Sequence, residues 1–364
     1  MNLKKRAFLS LLAACLALPV LGLSAARAAE TVPAKWTLAV IGDQQWAVTQ
    51  RTGNDYLVQF TSQADWLIAH ARELNLRMVV QVGDIVEQSR VPSEWERAAS
   101  VMAKFDTAPD ADGGTGIPWS VAYGNHEMIG AVLNPPVDLA SPERSATYRQ
   151  YFGSASGHHR YANQPEFKGV SGNDVNTWHI IKSSNSPQAR SFLMLSLETD
   201  IPGNKAGTNF DAMKWAQGII DANPGLPTII TTHIFEGTKH GPPNNAYLKG
   251  FGHNSQLEIF DGLIKNNPQI FLVLSGHTNE ETHQVKTNAA GQPVLQMVTD
   301  YSKWVGTCGD GLFRLLEFDE AAGKVRVKTY SAFLKQSRTN PNAQFEWDLD
   351  FASRFPAAQA KRPN

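Results

Sequence analysis

Side chains that bind metals or transfer protons stand directly after five short apolar runs of this 364-residue chain. Carboxylates supply anionic oxygen, imidazoles supply nitrogen, and a carboxylate can bridge two cations. Two divalent cations about 3.5–4 Å apart can clamp a phosphoryl group and lower the pKa of a bound water. The residue types therefore point to metal-assisted hydrolysis. The residues concerned are Asp43 with Gln45, Asp84, Asn125 with His126, His233, and His277.

Alternating strands and helices are predicted to carry these residues to one place. Strand, helix and strand in alternation favour parallel pairing with right-handed crossovers. In open α/β sheets, ligands gather at the carboxyl ends of such strands. Continuous apolar runs typical of buried strands occur at 36–41, 77–82, 117–122, 192–197, 227–232 and 270–275, and stretches with helical spacing at 66–74, 211–222 and 257–265.

The C-terminal part of the chain follows another pattern. Residues 294–298, 311–318 and 324–330 have the character of strands joined by turns without helices, so we expect antiparallel additions. An α/β sandwich of two mixed sheets flanked by helices accommodates both patterns. Locally, Ser93 and Glu96 have the spacing of a capping box, which predicts that a helix opens there.

Five short motifs, in this order and rough spacing, resemble those of the calcineurin-like metallophosphoesterase family. The resemblance covers about 36–330, and its most specific element is Gly-Asn-His-Glu. It implies a four-layer α/β-β/α sandwich of the metallophosphoesterase type. It also implies a hydrolase that cleaves phosphate mono- or diesters by attack of metal-activated water at a two-metal site. The motifs are Asp43-x-Gln45, Gly83-Asp84-x-x-Glu87, Gly124-Asn125-His126-Glu127, Thr231-Thr232-His233 and Gly276-His277.

The same resemblance implies a role for each matching residue. The ligands would be Asp43 and Gln45 at the first metal, Asn125, His233 and His277 at the second, and Asp84 as the bridge. His126 would sit outside the ligands and stabilise the transition state or protonate the leaving oxygen. Glu87 has two interpretations from the residues alone: it orients a ligand, or it begins a loop.

Two positions depart from the commonest family pattern, both at the first metal. Gln45 stands where a histidine often follows the first aspartate, and Asn279 stands where a second histidine often follows the Gly-His pair. Amide oxygens are harder and weaker donors than imidazole, so this half of the site should favour Mn²⁺, Mg²⁺ or Ca²⁺. For the two metal ions together, the candidates also include Fe²⁺ and Zn²⁺. Asn279 is a candidate ligand or a neighbour of one, and His283 or His253 could supply the missing nitrogen.

The expected partner is a small-molecule phosphoester. His240 and His253 flank the Gly-, Pro- and Asn-rich stretch 241–252 and are candidate substrate contacts, although a solvated loop is the other interpretation. The sequence contains no Gly-x-Ser-x-Gly element for an acyl-enzyme and no Gly-x-x-x-x-Gly-Lys element for a nucleotide. Its formal net charge is -1, and no nucleic-acid-binding surface is evident.

A competing hypothesis is an exported metal-binding protein that keeps the same scaffold with weak or no phosphoesterase activity. Gln45 and Asn279 motivate it, because both weaken the first metal site. His126 argues against it, because a protein that only binds metal needs no acid beside its ligands.

The N-terminus has the parts of a secretory signal peptide over 1–28. Lys4, Lys5 and Arg6 precede an apolar run at 7–23, and the run ends near an A-x-A-like site at 26–28. Export to the periplasm or the medium follows, with no transmembrane segment in the mature chain. Two alternatives are a membrane anchor and a lipoprotein attached through Cys15.

The mature chain is expected to have three parts. The predicted metallophosphoesterase domain spans 33–335, with a Gly-, Ser-, Asn- and Pro-rich surface insertion near the site at 128–176. A C-terminal extension follows at 336–364. If Cys15 leaves with the signal peptide, Cys308 is the only cysteine of the mature chain, which excludes an intramolecular disulfide.

Overall fold

A computed structural model describes residues 35–50, 55–129, 142–156, 164–205, 208, 210–236, 245–304 and 308–356. Two seven-stranded sheets form the centre of the described structure. The strands are β1 (Trp36–Ile41), β2 (Leu76–Gln81), β3 (Trp119–Val121), β4 (Phe167–Val170), β5 (Thr177–Lys182), β6 (Ser191–Ser196), β7 (Thr228–Thr231), β8 (Ile270–Ser275), β9 (Glu281–Thr287), β10 (Pro293–Thr299), β11 (Leu312–Asp319), β12 (Lys324–Ser331), β13 (Gln336–Arg338) and β14 (Gln344–Asp348).

Helices connect these strands. They are α1 (Gln45–Val48), α2 (Leu57–Ala69), α3 (Ala71–Leu74), α4 (Pro92–Met102), α5 (Lys104–Thr107), α6 (Ala146–Phe152), α7 (Ala212–Ala222), α8 (Gln256–Ile259) and α9 (Phe351–Arg354). A π-helical turn, Phe260–Ile264, continues α8, and 3₁₀ turns lie at Pro142–Ser145 and Lys249–Phe251. No helix in the described ranges is both long enough and apolar enough to cross a membrane.

The first sheet has the order β13-β12-β11-β1-β2-β3, with β14 also paired to β12. Strands β1, β2 and β3 run parallel, and β11 pairs antiparallel with β1. The second sheet has the order β4-β5-β6-β7-β8-β10-β9, with β6, β7, β8 and β10 parallel. Both sheets are therefore mixed, and each has a parallel part whose carboxyl ends can carry a site.

The prediction of antiparallel additions is wrong for the strand at 294–298. Strand β10 runs parallel to β8 and antiparallel to β9. The reason is β9, a half-exposed strand that the sequence pattern did not reveal. It carries the chain back along the sheet, so β10 returns in the direction of β8. The carboxyl end of β10 consequently joins those of the other parallel strands.

Three apolar layers hold the elements together. One lies between the sheets and includes Trp36, Phe192 and Phe271. A second packs α2, α4 and α6 on the first sheet, and a third packs α7 and α8 on the second. Because each sheet has one face against the other sheet and one against helices, the predicted four-layer sandwich is confirmed. Burial of so many aliphatic and aromatic groups is the main stabilising contribution to such a fold.

Two predicted peripheral segments take part in the fold. Within 128–176, α6 places Tyr148 and Phe152 in the core beside Trp95, with ring centroids 6.4 Å and 6.1 Å away, respectively. Tyr148 and Phe152 are four residues apart, so they lie on one face of α6, and this face is buried. That part of the chain is therefore not a surface insertion. The C-terminal extension contributes β13 and β14 to the first sheet, and Phe351 and Phe355 to the core between the sheets.

Candidate metal centre

The predicted site residues follow five parallel strands. Asp43 and Gln45 follow β1, Asp84 follows β2, Asn125 and His126 follow β3, His233 follows β7, and His277 follows β8. All except His126 and His277 are buried. Ligand atoms of Asp84, His233 and His277 lie within 4.8 Å of one another, which is a spacing that one metal ion can span.

His233 Nε2 makes the short contacts that join Asp84 to the other members of this group. Asp84 Oδ2 is 3.0 Å from His233 Nε2, and His233 Nε2 is 3.1 Å from Asn125 Oδ1 and 3.2 Å from His277 Nδ1. Two imidazoles, one carboxylate and one amide oxygen thus converge. Mixed nitrogen and oxygen ligands of this kind suit Zn²⁺, Fe²⁺ or Mn²⁺.

The backbone is shaped to present these groups. Asp84 has φ 52° and His277 has φ 75°, a left-handed conformation that is costly outside glycine and is concentrated at functional sites. A Cβ on Gly124 would lie 2.3 Å from Asp84 Oδ1, so only glycine allows this approach. His233 Nδ1 is 2.9 Å from the Val82 carbonyl oxygen, to which it donates, and this bond turns Nε2 towards Asp84.

The charges within this group are complementary. Burial acts to raise the pKa of Asp84, but the imidazoles of His233 and His126 outweigh it and hold that pKa well below its ordinary value. For His233, burial acts to lower the pKa, and the Asp84 carboxylate overcomes it, so the pKa is raised. The ionised carboxylate is therefore the stable form here, and it is the form that binds a metal.

His126 faces the same carboxylate from outside the ligand group. Its Nε2 is 3.8 Å from Asp84 Oδ2, and its Nδ1 donates to the Glu87 carbonyl oxygen at 2.8 Å. Burial opposes protonation, but the Asp84 carboxylate and the bond to Glu87 raise the pKa of His126 to about 9. The carboxylate thus favours the protonated form of the ring, whose Nε2 faces Asp84. Glu87 orients His126, with Oε2 3.6 Å from Nδ1.

Glu127 is a structural residue of the site for which no role was predicted. Its buried carboxylate accepts bonds from the backbone N–H groups of Gly124 (2.6 Å), Asp84 (2.9 Å) and Ile85 (2.8 Å). It thereby ties the loop after β3 to the loop after β2. Burial and the nearby Asp84 raise the pKa of Glu127 to about 7. Its position beside His126 in the Gly-Asn-His-Glu motif was the only available signal.

The first-metal half has an excess of negative charge. Asp43 is buried, and its carboxyl group shares a hydrogen bond with Asp300. Burial raises the pKa of Asp43 well above its ordinary value, and the neighbouring Asp300 and Asp84 raise it further. Asp300 directly follows β10, so the signal that identified the other residues was present there as well.

The residues of this half fit a divalent cation. Gln45 is 4% exposed, and its Oε1 has no hydrogen-bond partner within the described part of the chain. A buried carbonyl oxygen without a donor is costly and suits a cation. Mutually repelling carboxylates are relieved by the same cation.

The side chains of the other candidates around the first metal have other partners in the structure. Asn279 Oδ1 accepts from Ser302 Oγ (3.1 Å) and the Lys303 N–H (3.0 Å), which turns this oxygen towards residues 302–303. His283 stacks on Phe345 with ring centroids 3.7 Å apart. Among the described residues, neither His283 nor His253 joins the group of metal-capable side chains. His240 lies outside the described residues.

His253 instead belongs to a buried ion-pair network. Its Nε2 accepts from Arg144 Nη1 at 3.2 Å, and Arg144 Nη2 donates to Glu198 Oε2 at 2.6 Å. His253 Nδ1 lies 3.2 Å from the Thr199 carbonyl oxygen. Burial lowers the pKa of His253 to about 3, and the charge of Arg144 contributes. These contacts fasten the segment after the 3₁₀ turn at Lys249–Phe251, and they leave the ring no free nitrogen for a substrate.

Comparisons with known proteins agree with this geometry. A family model described as calcineurin-like phosphoesterase matches residues 37–281. The uncharacterized protein YvnB of Bacillus subtilis (strain 168) is 26% identical over 295 residues, which cover 79% of this chain and 19% of that protein. The chain therefore spans a minor part of that relative's length.

Two solved structures match most of the chain at low identity. Purple acid phosphatase PPD1 from yellow lupin (Lupinus luteus) seeds is 12% identical, with a TM-score of 0.50 over 88% of this chain and 55% of that chain. GAP50, the anchor in the inner membrane complex of Plasmodium, is 11% identical, with a TM-score of 0.48 over 87% of this chain and 89% of that chain.

Proposed function

Because the chain belongs to the calcineurin-like phosphoesterase family, we propose that it hydrolyses phosphate mono- or diesters at a site for two divalent cations. The observation that carries the proposal is Asp84, whose Oδ2 lies 3.0 Å from His233 Nε2 and 3.8 Å from His126 Nε2. One carboxylate thus lies next to both a proposed metal ligand, His233, and the proposed proton donor, His126.

Each half of the site supplies a different set of ligands. Asp43 and Gln45 would hold the first cation with Asp84, and Asn125, His233 and His277 would hold the second with Asp84. When bound, two such cations lower the pKa of a coordinated water and offset the charge of a phosphoryl group. The Val82 carbonyl oxygen and Glu127 fix the orientation of these ligands, which keeps the geometry ready before substrate arrives.

His126 is the proposed proton donor. Its Nδ1–H is held by the Glu87 carbonyl oxygen at 2.8 Å, so the proton on Nε2 is the one that can leave. That side chain is 23% exposed, whereas Asp84 is almost completely covered, so a substrate reaches His126 from solvent. Proton donation to the leaving oxygen avoids formation of an alkoxide.

The test is hydrolysis of p-nitrophenyl phosphate and bis-p-nitrophenyl phosphate by the full chain and by Asp84→Ala. Metal is removed and restored as Mn²⁺, Zn²⁺, Fe²⁺, Mg²⁺ or Ca²⁺, and bound metal is counted in each sample. We expect turnover that depends on metal and is absent from Asp84→Ala. Metal binding without cleavage of either ester under any of these ions would contradict the proposal.

A second candidate, a metal-binding protein with weak or no esterase activity, is favoured by Gln45 and by the turned-away oxygen of Asn279. It predicts that His126→Ala changes neither the amount of bound metal nor the rate of ester hydrolysis. The hydrolase predicts loss of rate with retention of metal. The comparison of metal content with rate in this one variant separates the two.

We also propose that the protein is exported to the periplasm or the medium, on the strength of the basic, apolar and small-residue segments within 1–28. N-terminal sequencing of the protein from its producing cells tests this. Cleavage after Ala28 is the expected result. An intact Met1 in the cytoplasmic fraction would contradict it, and a lipid-modified Cys15 would support the alternative anchor.

A further inference from the structure

The carboxyl ends of β1 and β10 meet where the two sheets come together. A Cβ on Gly42 would lie 2.6 Å from the Thr299 carbonyl oxygen, so the two chain segments are in direct contact. Asp43 and Asp300 are the next residues in each segment, and both are at most 2% exposed. Their carboxyl groups are within hydrogen-bonding contact. Asp300 thus brings a carboxyl group from the second sheet next to Asp43.

Asp300 is held by donors that leave its carboxylate in a fixed orientation. Oδ2 accepts from the Asn279 N–H at 2.7 Å, and Oδ1 accepts from Ser302 N (2.9 Å) and Ser302 Oγ (2.7 Å). Asn279 has φ 54°, which turns its N–H towards Asp300. Asn279, which stands at the position of the missing histidine, therefore binds the Asp300 carboxylate through its backbone. Its side chain binds the 302–303 segment.

We propose that Asp300 is a ligand of the first metal and takes the place of the absent imidazole. The inference rests on the proposed two-cation site and adds a residue to it. With Asp43, Gln45 and Asp84, it makes the first site one of oxygen ligands only. The independent observation is the buried Oε1 of Gln45, which has no hydrogen-bond partner among the described residues.

An oxygen-only site with three carboxylates selects hard cations. Carboxylate and amide oxygens suit Mn²⁺, Mg²⁺ and Ca²⁺, whereas the imidazoles of His233 and His277 suit Zn²⁺ or Fe²⁺. The two positions therefore differ in the class of cation that they take.

The test titrates Mn²⁺ into the metal-free full chain and measures free Mn²⁺ by electron paramagnetic resonance. The wild type, Asp300→Asn and the matched control Asp319→Asn are compared. Asp319 is also a buried acid at a strand end, and its Oδ1 accepts from the Ala322 N–H at 3.0 Å. We expect two Mn²⁺ per wild-type and control chain. In Asp300→Asn, one Kd should rise about 10-fold or more while the other stays unchanged.

Three results would overturn the proposal: two Mn²⁺ bound to Asp300→Asn with wild-type affinities, equal weakening of both ions, or a single Mn²⁺ in the wild type that Asp300→Asn leaves unchanged. Ester hydrolysis has no part in this readout. If both model esters remain uncleaved while Asp300→Asn still loses one ion, the hydrolase proposal fails and the ligand assignment stands.

A second measurement needs no variant. One equivalent of Zn²⁺ is added to the wild type to fill the imidazole position, and one equivalent of Mn²⁺ follows. Electron spin echo modulation then reports nitrogen bound to Mn²⁺. We expect no directly coordinated ¹⁴N, because every proposed first-site ligand is oxygen. Imidazole ¹⁴N coupling to Mn²⁺ would contradict the proposal, whether or not Asp300→Asn folds.

Discussion

The two halves of the candidate metal centre differ in the sign of the interactions between their own side chains. In the second half, the Asp84 carboxylate is 3.0 Å from His233 Nε2, so attraction between a carboxylate and an imidazole stabilises the arrangement. In the first half, Asp43 faces Asp300 and Asp84, and these like charges raise the pKa of Asp43 well above its ordinary value, in addition to the effect of burial. In the second half, the charges of the carboxylate and the imidazoles balance each other. In the first half, the negative charges need a cation.

This difference suggests how substitutions at the first metal are tolerated. Where Gln45 and Asn279 stand in place of two imidazoles, the proposed Asp300 ligand would restore binding through charge instead. Such a site should depend on hard cations, because all of its proposed ligand atoms are oxygen. The second half should bind its ion with less dependence on the first.

The largest expected effect is from Asp84→Ala, which should break both halves at once. Asp84 is the one ligand shared by the two proposed ions, so both should be lost. Hydrolysis should fall by about 10³-fold or more, because metal ions contribute several kcal/mol to transition-state stabilisation. Metal counting and p-nitrophenyl phosphate turnover check this, with Asp319→Ala as control. One ion retained at full affinity would show that Asp84 is not shared.

His126→Ala should separate chemistry from metal binding in both halves. We expect both ions to be retained and the turnover to fall about 10²- to 10⁴-fold, the usual contribution of a general acid. The control is His283→Ala, whose ring stacks on Phe345 away from the centre. Loss of metal from His126→Ala would instead make the residue a ligand. An unchanged rate would favour the metal-binding protein over the hydrolase.

Gln45→His should make the first half resemble the second. Imidazole is a softer and stronger donor than an amide oxygen, so preference for Zn²⁺ over Mn²⁺ at the first site should rise about 10-fold or more. Competition between the two ions, followed by metal counting, measures this. The matched control is Gln44→His, next to it in sequence. An unchanged Zn²⁺ to Mn²⁺ ratio would place residue 45 outside the first metal's ligands.

The last expected effect concerns stability rather than metal binding, and it involves His253, which lies outside both halves. Burial beside Arg144 lowers the folded-state pKa to about 3 from an ordinary 6.5. The unfolded chain therefore binds one more proton between pH 6.5 and pH 3, so the free energy of unfolding decreases as pH falls through that window. The contribution of this one group is about 1.4 kcal/mol per pH unit.

Urea unfolding of the wild type and of His253→Gln from pH 8 to pH 4 measures this slope. The difference between the two at pH 8 gives the pH-independent cost of the substitution, which serves as the internal reference. Below pH 6.5 the variant should lose stability less steeply than the wild type. Parallel curves would show that His253 binds its proton equally in both states.

The sequence predicted that Asp84, His233 and His277 come together, but it did not predict that the end of β10 lies beside Asp43, and the reason is topological. Apolar runs identified the strands before Asp84, His233 and His277, and parallel pairing brought their carboxyl ends together. Asp300 follows a strand just as clearly, but β10 was expected to be antiparallel. Its direction depends on β9, whose alternating exposure hides it from a search for continuous apolar runs.

Local signals failed where tertiary contacts competed for the same side chains. A helix begins near Ser93 as predicted, yet Pro92 opens it, and no side chain caps it. The neighbouring Glu94 instead accepts bonds from Thr49 Oγ1 and from backbone N–H groups of the loop after β2. The capping box forms elsewhere, between Ser255 and Glu258 at the start of α8.

The most direct test of the difference between the halves is anomalous diffraction from crystals grown with equal Mn²⁺ and Zn²⁺, recorded at both absorption edges. We expect Mn²⁺ beside Asp43, Gln45 and Asp300, and Zn²⁺ beside Asn125, His233 and His277, with Asp84 between them. Zn²⁺ at both positions, or an ion near Asp43 that Asp300 does not contact, would contradict it.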